Sequence, residues 1–244
     1  VGTVVLSGAI EPATTTFNAS TTAYSLSGDP IAGDGGLTVS QGSVTLANDN
    51  TYSGGTNISA GALRLGNGGA TGSVAGAILN SGSLVIARSD TPTVSNTISG
   101  SGSLTISGTG TVTIDGQNTF AGGTTITSGT LILGHQQGIS TSGAYGGRLT
   151  VAGGTFDVNG RTNYTNVNQA GAPSTWLTTA TVTLGGLAGA TPEITDNGAP
   201  PTATAFAAAT AVRYDATNNP GTATISALWS QVGTTNPGGT RTVE

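Results

Sequence analysis

Few residues in this chain could do covalent or acid–base chemistry. His135 is the single histidine. It stands in Gly134-His135-Gln136-Gln137-Gly138, and could act as a general base or a metal ligand. A transition-metal site needs further His or Cys, and the chain has no cysteine and no second histidine. Asp29 and Asp34 form the one close acidic pair, inside the turn Gly28-Asp29-Pro30-Ile31-Ala32-Gly33-Asp34-Gly35. They could hold Ca²⁺ with backbone carbonyls, although turn chemistry alone accounts for Asp at these positions. Glycosidase chemistry needs two carboxyls roughly 5–10 Å apart, and no other carboxylate pair offers itself. No Gly-x-Ser-x-Gly elbow occurs, and lysine is absent, which removes Schiff-base and P-loop chemistry. Asn-x-Ser/Thr sequons at Asn18, Asn57 and Asn163 are expected by chance in a chain so rich in Ser and Thr. The reading is of a non-enzyme that needs no cofactor.

Composition points the same way. Only 7% of the residues are charged, against about 25% in ordinary globular domains. The six basic residues are all Arg, well spread, and the net charge is −5, so no basic patch awaits a nucleic acid. Hydrophobic residues make up 35% of the chain, enough to bury a core. No segment reaches the ~20 apolar residues of a membrane-spanning helix. The sequence contains no methionine, so the chain reads as a processed product or an excerpt of a longer one.

What the chain does carry is a duplication. Val44–Gly66 and Val112–Gly134 are identical at 12 of 23 positions. Upstream, Ile31–Thr38 matches Ile98–Thr105, with one position gained before Val112. Each copy holds short triplets with apolar residues two apart: Leu37/Val39, Val44/Leu46 and Leu63/Leu65, then Leu104/Ile106, Val112/Ile114 and Leu131/Leu133. A strand places residues i and i+2 on one face. Gly-rich turns such as Ser53-Gly54-Gly55 and Ala121-Gly122-Gly123 separate the triplets. Strands this short do not stand alone, but they can coil so that each turn pairs with the next. Leu46, Ile58, Leu63, Leu65, Ile114, Ile126, Leu131 and Leu133 are the expected inward residues. At roughly 20 residues per coil and a spacing of about 4.8 Å, 244 residues predict about 12 coils and a rod roughly 55–60 Å long. No amphipathic helical stripe is found, including in the Ala-rich run Ala203–Val212.

The repeated run Gly-x-Leu-Thr, Val/Ile-Thr-Leu/Ile, Asn-Thr-Tyr/Phe-x-Gly-Gly-Thr-x-Ile-x-x-Gly-x-Leu-x-Leu-Gly resembles the autotransporter-associated β-strand repeat. The resemblance covers 31–66 and 98–134. It implies an all-β, right-handed parallel β-helix of bacterial origin, secreted or displayed on the cell surface, with no shared catalytic residues. Val39-Ser40 and Ile106-Ser107 stand where the family often has lysine. The residues after the repeats do not supply the ~10-residue alternating strands of an outer-membrane barrel.

The expected organisation is a regular β-solenoid over 1–160 and an irregular continuation, or a small β-domain, over 161–244. Six of the nine prolines and both tryptophans, Trp176 and Trp229, lie in the second part. The tryptophans read as core fillers. Both ends are strand-like: Val1-Gly2-Thr3-Val4-Val5-Leu6, and Arg241-Thr242-Val243-Glu244. An uncapped coil exposes unpaired backbone and the end of an apolar column. The leading expectation is therefore a structural subunit that stacks head to tail into a surface filament. Val1, Val4, Val5, Leu6, Arg241 and Val243 would make the contact. The alternative is an adhesin or autotransporter passenger segment that binds glycan or another cell.

Overall fold

The computed structural model describes residues 1–135 and 149–157, and beyond them strands at 181–185, 193–195, 211–215, 223–225 and 241–243. The described chain is all β and forms a solenoid of parallel strands on three faces.

The first face carries the opening part of β3 (Gly36–Leu46), then β4 (Thr56–Ile58), β6 (Ile78–Asn80) and β9 (Ile98–Ser99). The second carries β1 (Gly2–Leu6), the end of β2 (Thr14–Gly28), the end of β3, β5 (Ala62–Leu65), β7 (Ser83–Ile86), β10 (Ser103–Ile106), β12 (Thr124–Ile126), β14 (Leu149–Val151), β16 (Thr181–Gly185) and β18 (Ala211–Asp215). The third carries β8 (Thr93–Val94), β11 (Thr111–Ile114), β13 (Thr130–Leu133), β15 (Thr155–Asp157), β17 (Glu193–Thr195) and β19 (Ala223–Ile225). All of these pair in parallel. The exception in this topology is β20 (Arg241–Val243), which lies antiparallel to β19.

Strict register turns the inward residues into columns. On the second face Leu26, Leu46, Leu65, Ile86, Ile106, Ile126 and Val151 stack one above another. Beside them run Tyr24, Val44, Leu63, Leu84, Leu104, Thr124 and Leu149. On the third face Val112, Leu131 and Phe156 stack in the same way. All eight expected inward residues are buried. Alternation is the cause: Leu63, Leu65, Leu131 and Leu133 are sealed, while Arg64 and Ile132 between them keep solvent contact.

At its first turns the column carries two partly buried rings. Phe17 and Tyr24 lie with centroids 5.7 Å apart at an interplanar angle of 47°, packed against the core with Leu6.

Along the second face the column climbs in nearly even steps, from Leu26 to Leu46, Leu65, Ile86, Ile106 and Ile126. The steps then lengthen, from Ile126 to Val151, Leu184 and Tyr214. The uniform coil that predicts about 12 turns does not hold past Ile126.

The two repeats are not stacked in phase. In the first copy Leu37/Val39 lie on the first face and Val44/Leu46 on the second. In the second copy the matching Leu104/Ile106 lie on the second face and Val112/Ile114 on the third. From Val44 the column climbs through Leu63 and Leu84 to Leu104, which is three coils. Val112, the counterpart of Val44, lies one strand and one corner beyond Leu104. The second copy is therefore advanced by one face of three.

Within each copy the same residues perform the same tasks. Asn50 Oδ1 accepts from the Ile31 amide at 2.9 Å, and Asn118 Oδ1 accepts from the Ile98 amide at 2.6 Å. Tyr52 and Phe120 are both buried behind these asparagines. The Tyr52 hydroxyl lies 2.7 Å from Thr56 Oγ1, and either can donate. Burial pushes the Tyr52 phenol up from 10.0 to about 12, and the Thr56 bond offsets this only in part. The neutral phenol is the form the fold holds. Its contribution is complete below pH 10 and is lost as pH rises towards 12. Two pH units at about 1.4 kcal/mol each give a loss on the order of 3 kcal/mol across that window. Between pH 9 and 11.5 the urea midpoint should fall less in Tyr52→Phe than in the parent. An equally steep decline in the variant would show that another group drives it.

Candidate functional site

The residues singled out for chemistry are not brought together. His135 follows β13 at a corner, half-buried, with its amide donating to Ile114 O at 3.2 Å. Asp29 Oδ2 accepts from the Gly8 amide at 2.6 Å, and Asp34 Oδ1 accepts from Ser53 Oγ at 3.0 Å. Each aspartate thus ties its own coil to a neighbour. Among the described residues no three His, Cys, Asp or Glu side chains gather where they could hold a metal ion. Asn18 is exposed and accepts from Gln41 Nε2 at 2.8 Å, and Asn57 lies half-buried on the outside of the first face. Asn163, Trp176 and Trp229 lie outside the described residues, as does the Ala-rich run up to residue 210.

The proposed contact residues at the first end form β1. This strand pairs in register with Tyr24–Gly28 of its own chain, Val4 opposite Leu26. Its other edge has no partner among the described residues. Val1, Val4 and Val5 are 92%, 40% and 71% exposed, while Leu6 packs partly buried against the core. Arg241 and Val243 pair with Ile225 and Ala223 in the closing antiparallel ladder.

Sequence reasoning misses a cluster around Arg88. The guanidinium donates from Nε and Nη2 to the two oxygens of Asp90, at 2.8 and 2.7 Å. Nη1 reaches Asp49 Oδ1 at 3.5 Å and Gly72 O at 3.3 Å, and Nη2 also donates to Ala70 O. One side chain thereby ties together three successive coils. The hydrogen bonds from Arg88 hold the Asp90 carboxyl below its usual range. The spacing Arg88-Ser89-Asp90 is the signal available for the nearer pair.

Next to this cluster the third face is interrupted. Asp49 and Ser73 meet in an isolated bridge. Below it the chain at 72–77 does not pair with β8, which begins a separate ladder with β11. The gap is an open cleft of about 580 Å³ between residues 72–77 and 92–97. Arg88 fastens one end to Gly72. Asn96 fastens the other, with Nδ2 donating to Val74 O at 3.0 Å and Gly76 O at 2.6 Å. Leu65, Ile86 and Val94 reach the floor, and Ser73, Ser95 and Thr97 stand at the rim.

Comparison with known proteins places the repeat. The family described as passenger-associated-transport-repeat matches residues 40–65 and 104–133. The chain is also similar to the adhesin BmaC autotransporter of Brucella suis biovar 1 (strain 1330), 47% identical over 103 residues. That match takes in 42% of this chain and 3% of the relative, so the chain corresponds to a small part of that protein. No solved structure gives a significant match. The matched segments coincide with the two phase-shifted copies on the solenoid, and this chain therefore carries two repeats of the passenger-associated-transport family, the repeat type of autotransporter passengers.

Proposed function

We propose that this chain is a non-enzymatic rod segment of an autotransporter passenger, secreted or held at the bacterial surface, where it serves adhesion. One observation carries the reading: the two family repeats lie inside a continuous in-register solenoid, and the similar protein is named an adhesin. A stacked parallel ladder suits such a post. Its stability comes from nearest-neighbour coil contacts, and its length scales with coil number. The surface suits it too, because an exterior rich in Ser and Thr with no basic patch does not draw in nucleic acid.

Display of this chain as a passenger on a non-adherent bacterium tests the reading. Adherence to cultured epithelial cells should rise above that of the undecorated strain. It should fall back when the solenoid is unfolded by Leu104→Asp. A chain that reaches the surface folded and leaves adherence unchanged would defeat the proposal.

A second reading, head-to-tail assembly, is supported by the outer edge of β1, which has no partner among the described residues, and by the exposed Val4 and Val5. Unpaired parallel edges invite a further strand, and lysine on an edge discourages it. A non-closing contact of this kind propagates. Sedimentation of the purified chain should then show concentration-dependent polymers, abolished by Val5→Lys. A monomer at high concentration would remove this reading.

A further inference from the structure

Most positions shared by the two repeats are inward residues, asparagine caps and corner glycines; Thr45/Thr113 and Thr51/Thr119 are shared on the outside. The remaining outward positions vary in chemistry: Ser53 against Ala121, Asn57 against Thr125, Arg64 against Ile132. The one-face advance also turns equivalent outward residues to different sides of the rod. A repeat of this kind supplies a frame, and two copies cannot present one shared ligand-reading surface. Recognition falls to residues outside the frame, and the stretch between the copies builds the cleft of the third face.

We propose that this cleft takes an extended, uncharged peptide segment as an additional strand on the free edge of β8. The edge supplies the first reason. On its paired side, Thr113 N donates to Pro92 O and Asp115 N donates to Val94 O, both at 2.9 Å. Alternate residues of a parallel strand bond to opposite sides. Thr93 therefore directs its N–H and C=O towards the cleft, where no strand of the described chain meets them. The second reason is preorganisation. Arg88 and Asn96 pin the two ends of the cleft, so an incoming strand finds its walls already placed. The third is charge. The donors of Arg88 are occupied by Asp90, Asp49, Ala70 and Gly72, which leaves a wall of Ser, Thr, Ala and Val. No aromatic ring lines the cleft to stack on a sugar. Main-chain bonds would give affinity, and the small apolar floor would select alternate side chains.

The proposal rests on the passenger reading only in placing the partner outside the cell. The probe is an acetylated and amidated Gly-Thr-Val-Thr-Ile-Gly peptide, patterned on β11, which pairs with the other edge of β8. Amide NMR of the whole chain should show saturable shifts and slowed exchange at Thr93 and Ser95. Thr93→Pro removes the cleft-facing donor and keeps the bonds to β11, and should weaken binding tenfold or more. Ala75→Trp, which fills the cleft, should do the same. The proposal fails if no saturable shift appears, or if both variants bind as the parent does. It also fails if cellohexaose shifts these amides and the peptide does not. A failure of cell adherence leaves this result standing, so the two readings fail separately.

Discussion

Leu131→Asp should abolish the cooperative unfolding of the central coils. Leu131 is fully buried between Val112 and Phe156 on the third face. Losing its burial costs roughly 1.5–3 kcal/mol. The carboxylate adds a larger penalty, since an uncompensated buried charge costs about 3–5 kcal/mol. The sum reaches the lower range of a whole domain's stability, about 5–15 kcal/mol. No basic side chain stands beside it in sequence, because the outward neighbour is Ile132. Leu131→Ala leaves a cavity without a charge and should cost about 2–5 kcal/mol. Thermal denaturation followed by circular dichroism separates the cases. The alanine variant should melt lower with one transition, and the aspartate variant should show a broad or absent one. A parental melting curve for Leu131→Asp would reverse the assignment of inside and outside.

Gly102→Ala should be nearly as damaging, for a different reason. One corner of the solenoid is a ladder of glycines, Gly61, Gly82, Gly102 and Gly122, each a coil apart. A Cβ on Gly102 would meet the carbonyl oxygen of Gly82 and the side-chain oxygen of Asn80, both well under 3.0 Å. Neither can step aside. Gly82 O already accepts from the Ser103 amide at 3.0 Å, and Asn80 Oδ1 from the Gly82 amide at 3.1 Å. Coil spacing is set by the flanking ladders, so the strain has no soft outlet. The cost should lie at or above the top of the ~1–3 kcal/mol typical of overpacking. Gly69→Ala makes a useful control, with only Asn67 Oδ1 near its new methyl, at 3.4 Å. It should shift stability by no more than about 0.5 kcal/mol. Equal urea midpoints for the two variants would refute the close-approach argument.

These two sites show what can be read from residue order. The burial of Leu131 is legible, because Leu131 and Leu133 stand two apart and only one face of a strand can be dry. The glycines are legible as turns, but not as a ladder whose members forbid each other a methyl group. That constraint depends on which corner lies above which, and so on coil length. Coil length is legible from Leu26 to Ile126, where the rungs recur at nearly equal intervals. It is not legible afterwards, where the paired positions Ile126, Val151, Leu184 and Tyr214 stand at wider and unequal intervals along the chain. The phase of the second repeat is hidden as well, because all three faces use the same in–out alternation. Arg88 looks like one of six scattered arginines. Its role appears only when Asp49 and Gly72, 39 and 16 residues away, arrive beside it. The cleft escapes for the opposite reason: it is an interruption of a pattern, and Pro92-Thr93-Val94 reads as one more short strand.

The advance of the second repeat bears on how such a rod can grow. A solenoid whose three faces had distinct identities could be lengthened only by whole turns, since any other insertion would set mismatched sides against each other. Here the copy begins one side further round and still closes its columns, with Val112 meeting Leu131 and Ile106 meeting Ile126. The increment that the architecture tolerates is therefore a third of a turn, one strand and its corner. One whole repeat, three coils and that third, climbs roughly 16 Å at about 4.8 Å per coil while swinging to the adjacent side. A fourth unit would come back above the first, as on a spiral stair with three treads to the landing. Duplications and deletions of uneven length can then change the reach of the rod while its interior stays sealed.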